Sequence, residues 1–111
     1  MFDTEEPGAF ASLIEEFIMS SRRSLGTMKD AVSKSDWDEA RQVAHRLMGM
    51  SSQLGAVALR DESRELEAAL DNGRIRSPLD RVRELESILQ RTAVAYEEIV
   101  DDFERTGAKE T

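Results

Sequence analysis

Hydrophobic residues recur every three or four positions along nearly the whole chain, a spacing that is typical of amphipathic α-helices. A first long helix is predicted from Phe10 onward, and Gly26 with its nearby serines predicts a bend or break in its middle. A short extra helical turn is expected before it, around Asp3 to Pro7. The apolar stripe of the first helix consists of Leu13, Ile14, Phe17, Met28 and Val32.

Capping and turn residues delimit three further helices. The second opens within residues 35–39, where the spacing of a capping box occurs twice, and stops near Gly55. The third helix ends at Asn72–Gly73, and the fourth starts at Ser77–Pro78, where serine suits the N-cap and proline the first turn. The fourth helix is predicted to end near Gly107. The two candidate capping pairs are Ser35 with Asp38 and Asp36 with Glu39.

No segment shows the alternation of apolar and polar residues that is typical of a half-buried β-strand. Four amphipathic helices with short connections bury their stripes most completely as an antiparallel up-and-down four-helix bundle. The predicted fold class is therefore all-α, with a single domain over residues 1–111 and the bundle over about residues 8–105. A bundle of this kind does not by itself indicate a function.

The composition of the chain mainly excludes certain partners and kinds of site. The formal net charge of −8 argues against nucleic acids and anionic membranes as partners. The absence of cysteine excludes disulfide bonds, thiolate catalysis and cysteine-based zinc sites. The N-terminal segment is acidic without an apolar run, and no stretch has the length of a membrane span, so a cytoplasmic protein is expected.

The one histidine of the sequence, His45, is predicted to face solvent. Counted at 100° per residue, it lies about 160° from the centre of the apolar stripe of the second helix. It is also the one side chain of the sequence whose unperturbed pKa lies near neutral pH. The apolar stripe consists of Ala40, Val43, Leu47, Met50 and Leu54. The outer face with His45 carries Asp38, Arg41, Gln42, Met48, Gly49 and Ser52.

Gly49 and the nearby arginines admit two interpretations. A glycine within a helix costs about 1 kcal/mol relative to alanine, and at this position it would leave room for a bulky group approaching the imidazole. Arg41 and Arg46 would then offset the negative charge of that group. Alternatively, His45 is an ordinary surface residue, Gly49 permits close helix packing, and the arginines form i,i+4 pairs with nearby acids.

A longer pattern favours the first interpretation. Residues 44–56, AHRLMGMSSQLGA, followed by Leu59 and by Leu66–Glu67, resemble the histidine phosphotransfer family. That family's motif reads AHxLKG, a small residue shortly after, GA, then L and LE. Asp36–Trp37 and the first helix with Phe17 also resemble the family, so the resemblance covers most of the chain.

The resemblance implies that His45 takes a phosphoryl group from a receiver-domain aspartate and passes it to another, as a phosphocarrier and not an enzyme. The implied partners are response-regulator receiver domains and a hybrid sensor histidine kinase, and a monomer is expected. The chain has no Walker loop, nucleotide-binding glycine loop or carboxylate cluster. No cofactor or metal of its own is therefore expected, and Mg²⁺ is expected on the partner receiver domain.

The docking face implied by the resemblance includes part of the first helix and the surroundings of His45. The family usually has a lysine where this chain has Met48, which puts the stability of the phosphorylated form in question. Arg41 or Arg46 is the expected substitute, and Met48 offers an apolar contact to a partner. The implied phosphoryl environment consists of Arg41, Gln42, Arg46, Met48, Gly49 and Ser52.

Three other interpretations compete with this one. A histidine-kinase dimerisation domain is disfavoured, because such domains carry HExxxP and here Arg46 follows His45 with no proline nearby. The phosphotransfer module of a chemotaxis kinase shares the fold family, but its kinase domain is absent from this sequence. A degenerate four-helix-bundle adaptor, which binds a signalling partner without phosphotransfer, stays open because Met48 replaces the lysine.

Overall fold

Four α-helices make up the part of the chain that the computed structural model describes, which is residues 8–73 and 75–110, with side chains to residue 106. They are α1 (Ala9–Ser33), α2 (Trp37–Gln53), α3 (Val57–Asp71) and α4 (Pro78–Glu110). No strand occurs in these residues, so the all-α prediction is confirmed. The extra turn expected around Asp3 to Pro7 lies outside them.

The helices form an antiparallel four-helix bundle. Each packs against its neighbours in the chain, and α4 closes the ring against α1, while α2 and α3 form the most extensive pair. The diagonal pairs are α1 with α3 and α2 with α4. Because the connections between successive helices are short, neighbouring helices run in opposite directions. None of the described helices combines the length and apolarity that crossing a bilayer requires.

Local capping explains where α2 begins. The side chain of Asp36 accepts a hydrogen bond from the backbone N–H of Glu39 at 3.2 Å, so the second of the two candidate pairs forms the cap. Ser35 instead lies in the turn with φ 56°. In the turn between α2 and α3, Gly55 has φ 70°, a left-handed conformation that glycine adopts without steric cost.

The break predicted at Gly26 and the helix end predicted near Gly107 were both wrong. α1 is continuous through Gly26, because Leu25 and Met28 on either side are buried in the core and hold the helix together. α4 continues past Gly107 to Glu110 instead of ending near the glycine. In both places the cost of one glycine, about 1 kcal/mol, is not enough to stop a helix.

The inner face of α2 differs from the predicted stripe. Ala40, Val43 and Leu47 are fully buried as predicted, but Met50 and Leu54 are only partly buried. Ala44 and Ser51 are fully buried in their place, and the Ser51 hydroxyl donates to the Leu47 carbonyl at 2.7 Å. By helical count the buried face is thus rotated by about 40° towards the side that carries His45.

Candidate functional site

His45 lies at the middle of α2 with 65% of its side chain exposed, so the prediction that it faces solvent agrees with the structure. The residues around it in the chain fix its position, because Ala44 on one side and Leu47 two residues on are fully buried. An exposed imidazole is thus held on a rigid helix whose opposite face belongs to the core.

A hydrogen bond across two helices orients the imidazole. The Nδ1 atom of His45 lies 2.8 Å from Oε2 of Glu67 on α3. A carboxylate can only accept, so Nδ1 carries the hydrogen and donates. In the neutral imidazole this leaves the lone pair on Nε2, the ring nitrogen that Glu67 does not engage. The hydrogen bond to Glu67 therefore makes the two ring nitrogens of an exposed imidazole chemically different.

Glu67 is itself held in place by the core. Its neighbour Leu66 is fully buried, and Ser63 one turn earlier is buried with its hydroxyl bonded to the Leu59 carbonyl at 2.7 Å. The Glu67 side chain is only 23% exposed. The sequence analysis includes Glu67 in the family motif but does not predict its contact with His45. The position of Glu67 in that motif is the feature of the sequence that could have indicated the contact.

Arg41 lies near the site but is already engaged. Its guanidinium donates to Asp38 at 3.0 Å, one turn earlier on α2. The hydrogen bond and charge of Asp38 raise the pKa of Arg41 above its ordinary value, and the charges of Asp71 and Glu67 on α3 add to the effect. Arg41 therefore belongs to an acidic cluster one turn away from His45.

The other predicted site residues divide between two sides of His45. Met48 is half-buried, and by helical count it lies on the side that faces α3, as does the exposed Ser52. Gln42 and Arg46 are exposed on the other side, and Arg46, as the next residue after His45, points about 100° further around the helix. Met48 and Ser52 thus lie towards the line along which α2 packs against α3 beside Glu67, which we call the α3 seam, and Arg46 lies away from it.

Gly49 has open space around it. Apart from adjacent residues and the backbone of α2 itself, no described atom lies within 4 Å of where a Cβ of residue 49 would be. The glycine is therefore not needed for close packing of the helices within this chain. Because Gly49 has no side chain, the outer face of α2 has open space one turn from His45.

His45 lies on an open surface and not in a cavity. Three grooves of about 460, 370 and 290 Å³ lie between α1 and α4 or beside the turn that joins α2 to α3, and His45 lines none of them. Among the described residues no group of three or more His, Asp or Glu side chains is placed to hold a metal. An imidazole on an open surface is accessible to a group that a second macromolecule presents, whereas small-molecule sites are usually concave.

Comparisons with known proteins show which family and which fold the chain shares. A model of the Hpt domain family matches residues 12–95. Among solved structures, histidine-containing phosphotransfer protein B from Pseudomonas aeruginosa PAO1 is similar, with 22% sequence identity, a TM-score of 0.78 and coverage of 86% of this chain and 82% of that chain. At this identity the likeness shows the shared fold. A search of curated proteins gave no significant match.

Proposed function

The chain belongs to the histidine phosphotransfer (Hpt) domain family, whose members are phosphocarriers of phosphorelays, and we propose that its carrier atom is Nε2 of His45. The observation that supports this assignment most directly is the pair formed by His45 and Glu67. One ring nitrogen is fixed by a carboxylate at 2.8 Å, and the other is left for an incoming group on a side chain that is 65% exposed.

In the proposed reaction the Nε2 lone pair attacks the phosphorus of an aspartyl phosphate on a receiver domain. A bond between Nε2 and phosphorus forms as the bond between phosphorus and the carboxylate oxygen breaks, and the aspartate leaves as a carboxylate. The reverse sequence delivers the group to a second receiver. Such transfer depends on positioning and charge stabilisation more than on covalent machinery of the carrier.

Glu67 has two roles in this scheme. It holds the tautomer that makes Nε2 nucleophilic, and it stabilises the positive charge that the ring gains once Nε2 is bonded to phosphorus. A hydrogen bond in which either partner is charged is shorter and stronger than a neutral one. The carboxylate therefore favours the phosphorylated ring over the free one.

The partner is proposed to dock on the outer face of α2. Gly49 leaves space for it, the half-buried Met48 offers an apolar contact, and the exposed Gln42, Arg46 and Ser52 surround them. Such a face fits a small, transient interface. The proposed partners are receiver domains and a hybrid sensor histidine kinase, and the Mg²⁺ for transfer is assigned to the receiver domain.

The test of the carrier assignment uses a phosphorylated receiver domain with Mg²⁺ and follows transfer of label to the protein. We expect label that is labile in acid and stable in base, as phosphohistidine is, on the wild type and none on His45→Gln. Because His45 is the one histidine in the sequence, this variant removes every alternative histidine acceptor. If the wild type takes no label from several receiver domains, the alternative function is favoured, namely a four-helix-bundle adaptor that binds a signalling partner without phosphotransfer.

The role of Glu67 is tested with Glu67→Ala and Glu67→Gln. We expect the alanine variant to accept label about tenfold more slowly, because a hydrogen bond to a charged group is lost, while glutamine keeps an acceptor for Nδ1–H. Glu86→Ala is the matched control: Glu86 pairs with Lys29 across α1 and α4 at 3.8 Å, on another side of the bundle. An equal effect of both alanine variants would argue against a specific role of Glu67.

A further inference from the structure

The proposed phosphorylated form faces an electrostatic problem. A phosphoryl group on Nε2 adds negative charge to a chain whose net charge is already −8, and the carboxylate of Glu67, which stabilises the ring from the Nδ1 side, cannot neutralise the phosphoryl oxygens. The nearest cation on the same helix face, Arg41, is bound to Asp38 at 3.0 Å. A further positive charge that can reach the phosphoryl oxygens would favour both the transfer and its product.

The pairing of α2 with α3 shows where such a charge can lie. The contact of His45 with Glu67 at 2.8 Å sets the register of the two antiparallel helices. A step forward along α2 is therefore matched by an equal step backward along α3. Moving along the pair towards the turn at Gly55, Met48 on α2 therefore lies level with Arg64 on α3.

Arg64 shares its helix face with Glu67. The two residues are three positions apart, a spacing that places side chains next to each other on a helix, about 4.5 Å apart along the axis. An arginine side chain is long enough to cover that distance and reach a group bonded to His45. Arg64 thus lies across the α3 seam from Met48, and it carries a positive charge at a level of the bundle where Met48 is uncharged.

The side chain of Arg64 is also available. It is exposed, and it forms none of the ion pairs found within 4.0 Å among the described residues. By contrast Arg60, one turn closer to the Gly55 turn on the same face, is bound to Asp61 at 2.9 Å. Arg46 is directed away from the α3 seam by helical count.

We infer that Arg64 binds the phosphoryl group on His45 and supplies, from α3, the positive charge that position 48 lacks. The inference rests on the proposed function. The guanidinium donates N–H groups to phosphoryl oxygens while the bond from Nε2 to phosphorus forms and the bond to the leaving group breaks. No proton is transferred from Arg64, and its role is to neutralise charge in the transition state and in the product.

The test measures phosphorylation of the full chain by two donors: the small molecule phosphoramidate, which needs no docking, and a phosphorylated receiver domain with Mg²⁺. We expect Arg64→Gln to slow labelling by both donors about fivefold, as befits one partly exposed charge contact. Arg91→Gln on α4, the helix diagonal to α2, removes the same charge and should leave both rates unchanged.

A rescue variant makes the test specific. Adding Met48→Lys to Arg64→Gln should restore most of the lost rate, because the lysine places a cation at the same level of the seam. Equal rates for Arg64→Gln and the wild type with phosphoramidate would overturn the inference, even if the receiver reaction were slowed, since that pattern would assign Arg64 to docking. Such a result would leave the proposed function intact. A wild type without any phosphohistidine from either donor would overturn both.

Discussion

The two faces of α2 differ in what they require of a residue. On the inner face, Ala40, Val43 and Leu47 have no exposed surface, so their size and shape are fixed by the core. On the outer face, His45 is 65% exposed and Gly49 has empty space around it. Neighbouring positions in one helix are therefore under separate constraints: residues of the inner face are held by the core, and residues of the outer face surround the nitrogen that we propose as the phosphoryl carrier.

The largest effect on stability is expected from the inner face. Leu47→Ala removes a fully buried side chain and should lower the free energy of unfolding by about 2–5 kcal/mol, because the core cannot close over the cavity. Urea denaturation followed by circular dichroism measures this change. Gln42→Ala, on the exposed side of the same helix, should change it by less than about 0.5 kcal/mol. Similar losses in the two variants would contradict the division between the faces.

The outer face is tested by size at position 49. Gly49→Leu should reduce transfer from a receiver domain about 100-fold, close to 2.7 kcal/mol, while labelling by phosphoramidate stays near the wild-type rate. The reason is that a side chain at this position starts from open space on the outer face, where a leucine obstructs a docking partner. Gly49→Ala is the control for size: it should raise the free energy of unfolding by about 0.8–1 kcal/mol and cost much less transfer. Full transfer by Gly49→Leu would rule out the role in access.

The smallest of these three effects on free energy is expected from the loss of a contact at the C-terminal end of α2. The hydroxyl of Tyr96 on α4 donates to the Leu54 carbonyl at 2.7 Å, so Tyr96→Phe should lower the free energy of unfolding by about 1 kcal/mol at neutral pH. Transfer through His45 should be unaffected.

The same substitution makes a prediction about pH. Burial raises the pKa of Tyr96, so the folded state binds the phenolic proton more tightly than the unfolded state does. The resulting stabilisation is complete below the unfolded pKa, about 10, and is lost as pH rises through the folded value. The advantage of wild type over Tyr96→Phe should therefore shrink as the pH of urea titrations is raised from neutrality to above the unfolded pKa of about 10. A constant difference would contradict the assignment.

Sequence patterns predicted the features that depend on neighbouring residues. The cap at Asp36 and the start of α4 at Pro78 follow from side chains acting within one turn, and the sequence shows these directly. The family and the exposure of His45 also followed, because a motif and a helical period are both local. Gly26 was misjudged for the opposite reason: whether a glycine breaks a helix depends on burial elsewhere.

What the sequence concealed depends on how helices pair. Ala44 and Ser51 are small, so neither was expected in the apolar stripe, yet both are fully buried. The contact between His45 and Glu67 joins residues 22 positions apart, and only the register of α2 against α3 brings them together. A shift of that register by one turn would place Ser63 or Asp71 opposite the imidazole instead.

The hydrogen bond from His45 to Glu67 also gives the protein an internal spectroscopic label. With one histidine in the sequence, nitrogen resonance spectra contain a single pair of imidazole signals, and no assignment problem arises. Nitrogen shifts distinguish a ring nitrogen that carries hydrogen from one that does not, so the tautomer can be read without mutation. Loss of the bare-nitrogen signal at Nε2 would then report phosphorylation in real time, and a change at Nδ1 would report movement of α3 relative to α2.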